Sequence, residues 1–103
     1  MQEIKDKSEY HLLTNLGTGK VLINFTATWC GPCQKIKPEI IEMSKAYPGV
    51  GFYTVDVDKL PDVSESQRIN SVPTFQIWSN GIKIFEIKGA RIPMIAEALA
   101  RLN

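Results

Sequence analysis

The chain has 103 residues, 44% of them hydrophobic, a size and composition that fit one small globular domain with its own core. Twelve basic residues nearly balance eleven acidic ones, so neither a nucleic-acid-binding surface nor a polybasic membrane patch is expected. No apolar run is long enough to span a bilayer, and the first six residues lack the apolar stretch of a signal peptide. We therefore expect a reducing compartment, the cytoplasm or the nucleus.

The hydrophobic pattern predicts nine elements in the order β-α-β-α-β-α-β-β-α. The first half of the chain is predicted to form an edge strand at 2–5, a helix that starts at Asp6 or Ser8 and ends at Gly17 in the left-handed backbone conformation, and a buried strand at 21–27. A helix from Cys30 or Gly31 to Pro48 and a buried strand at 52–57 follow. The remaining elements are a short helix at 60–69, strands at 74–78 and 82–87, and a last helix from Ile92 to Leu102. Asn80-Gly81 is a strong hairpin signal between the last two strands. The order predicts a single α/β domain over residues 1–103, with helices on both faces of a mixed sheet.

The only two cysteines, Cys30 and Cys33, lie at the junction of the second strand and the second helix. A Cys-x-x-Cys pair in a reducing compartment is typical of a redox site. Cys33 begins an apolar helical stripe with Ile36 and Ile40, so it is expected to face the core. Cys30 precedes the first full turn, where unpaired backbone N–H groups and the helix dipole favour its thiolate. We therefore predict an exposed nucleophile at Cys30 and a buried resolving thiol at Cys33.

Two other functions of the cysteine pair, a zinc site and a structural disulfide, are less favoured than a redox site. A structural zinc site needs two further ligands, and the chain has a single histidine and no third cysteine, so no metal is expected. A purely structural disulfide would close a very small loop and contribute little stability.

Gly31 and Pro32 are expected to hold the two cysteines close together, and Trp29 to offer an apolar contact surface beside them.

The chain resembles the thioredoxin family, most closely its cytosolic eukaryotic branch. The resemblance rests on the run Ala27-Thr28-Trp29-Cys30-Gly31-Pro32-Cys33 and on further landmarks that follow in the family's order: Lys37-Pro38, Val55-Asp56-Val57-Asp58, Val72-Pro73-Thr74-Phe75, Asn80-Gly81 and Gly89-Ala90. It covers essentially the whole chain.

The resemblance implies a thioredoxin fold, a mixed five-stranded sheet flanked by four helices. It implies a monomeric protein-disulfide reductase with no bound cofactor, recharged from NADPH by a thioredoxin reductase and acting on disulfide-containing proteins such as peroxiredoxins. It also implies a cis bond between Val72 and Pro73 that faces the cysteines. The residues expected to line the groove for an extended substrate are Trp29, Val72, Pro73, Gly89 and Ala90. From the residues alone, Gly89 would mark a strand bulge.

Asn24 departs from the family pattern, which has a buried aspartate six residues before the first cysteine. An amide is not a base near neutral pH, so deprotonation of Cys33 is expected to be less assisted. Loss of a buried carboxylate also removes repulsion from the Cys30 thiolate. The alternative is that Asn24 is a neutral core substitution that avoids burying a charge.

Three functions follow from these patterns. The first is a dithiol reductase of protein disulfides, and the second is a thioredoxin-fold binding or chaperone-type subunit whose redox chemistry is slow because of Asn24. The third is an oxidase or isomerase, which Gly31-Pro32 disfavours because the family's more oxidising members carry a histidine between the cysteines.

Overall fold

The structure, a computed structural model, describes residues 1–102; Asn103, the last residue of the predicted domain, lies outside them. The elements are β1 (Gln2–Glu3), α1 (Lys7–Thr14), β2 (Lys20–Thr26), α2 (Gly31–Ala46), β3 (Val50–Asp56), α3 (Pro61–Ser66), β4 (Thr74–Ser79), β5 (Ile82–Lys88) and α4 (Ile92–Ala100). Their order confirms the predicted β-α-β-α-β-α-β-β-α arrangement. Within residues 1–102, no helix combines the length and the apolar character that a membrane crossing requires.

The five strands form one mixed sheet in the order β1-β3-β2-β4-β5. β3 runs parallel to both β1 and β2, whereas β4 is antiparallel to β2 and to β5. The parallel register pairs Asn24 with Thr54 and Thr26 with Asp56. The last residues of β2 and β3 therefore lie side by side at one edge of the sheet, next to the start of α2.

Two apolar layers cover the two faces of the sheet, because successive side chains of a strand point to opposite faces. Along β2, Leu22 packs with the core residues of α2 and α4, whereas Ile23 and Phe25 pack with those of α1 and α3. The predicted stripe on α2 is confirmed, since Ile36 and Ile40 are buried in the first of these layers. Helices thus lie on both faces of the sheet.

Local interactions and backbone conformation explain where several helices and strands begin and end. Asp6 is the N-cap of α1, and its side chain accepts a hydrogen bond from the backbone N–H of Glu9 at 2.8 Å. Asn80 and Gly81 both have positive φ, which a two-residue hairpin turn of this kind requires. The left-handed conformation predicted for Gly17 is wrong, because α1 ends at Thr14 and Gly17 has no positive φ. A side chain there would meet the carbonyl oxygen of Leu13 at 2.7 Å, which accounts for the glycine.

Candidate active site

Cys30 is the N-cap residue of α2 and forms a disulfide with Cys33, with 5.3 Å between the two Cα atoms. Its Sγ accepts a hydrogen bond from the backbone N–H of Cys33 at 3.2 Å. Gly31 and Pro32 make up the first turn between them, where proline is tolerated because a helix's first N–H groups have no partner. A backbone N–H aimed at Sγ stabilises negative charge there once the disulfide opens. This geometry favours Cys30 as the nucleophile.

The prediction that Cys30 is exposed is wrong for the oxidised protein. Cys30 is 4% exposed and Cys33 is 2% exposed, so burial does not separate their roles. Val57 and Val72, which lie far along the chain, pack against the buried cluster that Ala27 forms with the two cysteines. The Sγ of Cys30 lies 3.7 Å from the carbonyl oxygen of Val72. A disulfide sulfur carries no hydrogen, so this approach is a packing contact and not a hydrogen bond.

Trp29 lies next to the disulfide in the chain with 69% of its surface exposed. Its Nε1 donates a hydrogen bond to Oδ2 of Asp58 at 2.8 Å. The ring is therefore held in place while it presents apolar surface to solvent, as the predicted contact role requires. Sequence reasoning misses Asp58 as a site residue, because its partner lies 29 residues earlier in the chain.

The peptide bond between Val72 and Pro73 is cis, as the resemblance implies. The carbonyl oxygen of Pro73 accepts a hydrogen bond from the backbone N–H of Gly89 at 2.8 Å. Gly89 has a φ of +93°, which favours glycine, and a β-carbon at this position would lie 3.9 Å from the nearest side-chain atoms. A bulge at Gly89 is wrong: the register shift lies between Ile77 and Trp78, and Gly89 follows the end of β5.

Most of the predicted groove residues line two depressions beside the disulfide. One has a volume of about 180 Å³ and includes Trp29 and Val72 in its lining. The other has a volume of about 540 Å³ and includes Gly31, Pro32 and Ala90. Pro73 and Gly89 line neither depression. Apolar surface formed by the residues next to each cysteine in the chain suits contact with an extended substrate.

Asn24 lies on β2 and is 3% exposed. Within residues 1–102, its Oδ1 is the one fully buried side-chain nitrogen or oxygen atom without a hydrogen-bond partner. Asn24 and Cys33 line the same cavity, which has a volume of about 370 Å³. The structure therefore brings Asn24 into the cavity that the resolving cysteine also lines, where the departure from the family pattern bears on its chemistry.

Comparison with known proteins gives a consistent result. The family model described as Thioredoxin matches residues 2–101. Thioredoxin from Geodia cydonium is 37% identical over 100 residues, which cover 95% of this chain and 94% of that protein. Thioredoxin-2 from Pyricularia oryzae is 39% identical over 99% of this chain, but the match covers 55% of that longer protein.

Solved structures agree with these sequence matches. One comes from a structural study of the thiol resolving mechanism in yeast mitochondrial 1-Cys peroxiredoxin via glutathione/thioredoxin systems. It superimposes with a TM-score of 0.93 at 30% identity and covers 98% of this chain and 94% of its own.

Proposed function

This chain belongs to the thioredoxin family and is a dithiol–disulfide oxidoreductase, and we propose that it reduces disulfides of other proteins with electrons drawn from NADPH through a thioredoxin reductase. The observation that carries the proposal is the Cys30–Cys33 disulfide at the N-terminus of α2, with Cys33 donating its backbone N–H to Sγ of Cys30. The two depressions beside it supply apolar surface for a protein substrate.

The reaction balances as two thiol–disulfide exchanges. The Cys30 thiolate attacks one sulfur of the substrate disulfide, forms a mixed disulfide and releases the other substrate sulfur as a thiolate. Cys33 then loses its proton and attacks Sγ of Cys30, which breaks the mixed disulfide and releases the second substrate thiol. The substrate gains two electrons and two protons, and the Cys30–Cys33 disulfide forms.

The test is reduction of insulin in the presence of NADPH and a thioredoxin reductase. We expect turnover with the wild-type chain and none with Cys30→Ser. Cys33→Ser should stop turnover and accumulate a mixed disulfide that peptide mass spectrometry places on Cys30. Asp62→Asn, a change at an exposed aspartate outside the site, is the control. Attachment of the substrate to Cys33 in Cys30→Ser at a comparable rate would reverse the assigned roles.

A peroxiredoxin is the substrate class that we propose first. The support is the similar structure from the study of a yeast 1-Cys peroxiredoxin. Steady-state peroxide consumption with NADPH, a thioredoxin reductase and a peroxiredoxin tests it, with insulin reduction as the reference for an active preparation. A chain that reduces insulin but gives no peroxide consumption would exclude the tested peroxiredoxin.

A second candidate function is a thioredoxin-fold binding subunit with slow chemistry. The buried amide of Asn24 in the cavity that Cys33 lines favours it, since an amide does not accept the proton of that thiol. A folded, fully reduced chain that binds protein partners yet leaves insulin unreduced would support this function over the reductase.

We also propose a monomer that works in the cytoplasm or the nucleus. The use of both cysteines in the active-site pair and the net charge of +1 support a soluble electron carrier in a reducing compartment. Sedimentation of the reduced protein and fractionation of the source cells test the two points separately.

A further inference from the structure

The cavity beside Cys33 has a volume of about 370 Å³, enough for several water molecules at roughly 30 Å³ each. Asn24 and Asp56 share it with Cys33 because β2 and β3 lie side by side, with Thr26 opposite Asp56 in the register. Sequence reasoning does not single out Asp56, since only the pairing of these strands brings it to the same cavity as Cys33.

The second exchange of the proposed reaction requires a proton acceptor. The Cys33 thiol must lose its proton for its sulfur to attack Sγ of Cys30, and the electron pair of the broken bond leaves with the substrate sulfur. A carboxylate near the thiol can take that proton directly or through one water molecule. The amide of Asn24 does not serve as a base near neutral pH.

The charged side chains that line the cavity differ in their ability to accept a proton. Lys37 and Lys59 carry ammonium groups, which are donors. Glu3 forms an ion pair with Lys59 at 3.2 Å, and its side chain is 49% exposed. Asp56 is 8% exposed. It is the buried carboxylate of the cavity.

The two oxygens of Asp56 have different environments. Oδ1 accepts hydrogen bonds from the backbone N–H groups of Asp58 at 2.9 Å and Lys59 at 3.3 Å, so the turn after β3 depends on it. Among residues 1–102, no hydrogen bond to Oδ2 is formed. One oxygen of Asp56 therefore holds the turn, and the other accepts no hydrogen bond from these residues that would compete with a proton.

We propose that Asp56 accepts the proton of Cys33 through water in this cavity during the second exchange, a role that rests on the proposed reductase function. The proton passes from Cys33 to Oδ2 of Asp56, the Cys30–Cys33 bond forms, and the substrate sulfur leaves with the electron pair. Asp56 then returns the proton to solvent or to the departing thiolate. Asp56 acts through water, so it supports the reacting thiol without touching it.

The test separates the two exchanges with an aromatic disulfide whose thiol product is coloured. Reduced protein is mixed with an excess of this disulfide in a stopped-flow instrument. The concentration-dependent rate reports attack by Cys30, and the plateau rate reports attack by Cys33. The wild-type plateau should stay level between pH 6 and pH 8, since a positioned base replaces the need for free thiolate.

Asp56→Asn is the informative variant, because its side-chain oxygen can still accept both backbone hydrogen bonds of the turn. We expect its plateau rate to be roughly 10- to 100-fold lower near pH 6.5 and to rise about tenfold per pH unit. The rate of attack by Cys30 should not fall, since loss of a nearby carboxylate can only favour the Cys30 thiolate. Asp62→Asn is the matched control, since exposed Asp62 also accepts a backbone N–H, from Val63 at 2.8 Å, and lies outside the cavity lining.

Rescue distinguishes proton transfer from a structural effect. Asn24→Asp in the Asp56→Asn background places a carboxylate in the same cavity and should restore most of the plateau rate. A wild-type plateau that climbs tenfold per pH unit, or an Asp56→Asn plateau within twofold of wild type, would overturn the role of Asp56. Absence of any reaction in the wild type would instead overturn the reductase function.

Discussion

Tyr10 on α1 donates a hydrogen bond from its hydroxyl to Oε1 of Gln76 on β4 at 2.6 Å, across 66 residues of chain. Gln76 is fully buried, and its side chain makes three more hydrogen bonds. Oε1 also accepts from Nε1 of Trp78 at 3.0 Å, and Nε2 donates to Gln67 at 2.9 Å and to Glu86 at 3.1 Å. Burial raises the pKa of Tyr10 well above its ordinary value, so its hydroxyl keeps the proton that it donates.

Gln76→Leu should lower the free energy of unfolding by about 2–4 kcal/mol, because it leaves the buried donors of Tyr10 and Trp78 without an acceptor. Urea unfolding measures the loss. Gln2→Leu, at an exposed position on β1, is the matched control and should change stability by less than about 0.5 kcal/mol. Equal losses in the two variants would mean that the buried hydrogen bonds contribute nothing specific.

Glu86 should make stability depend on pH in the acid range. Its partial burial acts to raise its pKa, but hydrogen bonds from Gln76 and Lys83 and the charges of Lys83 and Lys88 lower it overall from 4.5. The folded state therefore favours the ionised carboxyl, and the stability that this contributes is present above the unfolded-state pKa and is lost as the pH falls through the folded-state pKa.

We accordingly expect Glu86→Gln to be less stable than wild type at pH 7 and the difference to shrink below about pH 5. Urea midpoints measured from pH 3 to pH 7 follow the difference. Glu65→Gln, at an exposed glutamate of α3, should show little of it. A Glu86→Gln deficit that stays constant across this range would assign the effect to lost packing and not to ionisation.

Asn24→Asp should raise disulfide turnover, because a carboxylate beside Cys33 assists loss of the thiol proton. The same change should lower the free energy of unfolding by about 1–3 kcal/mol, since it buries a charge at a site that is 3% exposed. Insulin reduction and urea unfolding measure the two effects. Asn80→Asp is the control, since aspartate also suits the hairpin turn. An unchanged rate in Asn24→Asp would mean that a second carboxylate adds nothing to the proton transfer that we propose for Asp56, and a lower rate would count against assistance from position 24.

Trp29→Ala should raise KM for a protein disulfide about 3- to 10-fold, because it removes an exposed aromatic contact surface beside the site. Asp58→Ala should produce a smaller rise by releasing the indole N–H that it accepts at 2.8 Å. A small aromatic disulfide needs little of this surface and should react at nearly the wild-type rate. Asp62→Ala controls for the loss of charge, and a rise in KM of the same size there would exclude a specific role for Asp58.

Much of the fold was predictable because its signals are local. Cys33, Ile36 and Ile40 recur at helical spacing, and α2 buries all three. Asn80-Gly81 marks the hairpin, and both residues have the positive φ that the turn requires. The predicted short helix at 60–69 is longer than α3, which stops at Ser66 because Arg68 takes a left-handed φ of 56°. No local pattern indicates that an arginine will do so.

Residue type and spacing were enough to predict the order of the elements, the redox pair and its place at the start of α2, because these features depend on residues close together in the chain. The burial of Cys30 could be seen only in the folded chain, because Val57 and Val72 join its cluster when distant segments pack together. It also decided which groups surround Cys33: strand pairing brings Asn24 and Asp56 into one cavity. Such contacts depend on which strands pair and in what register, and neither hydrophobic periodicity nor composition predicts that pairing.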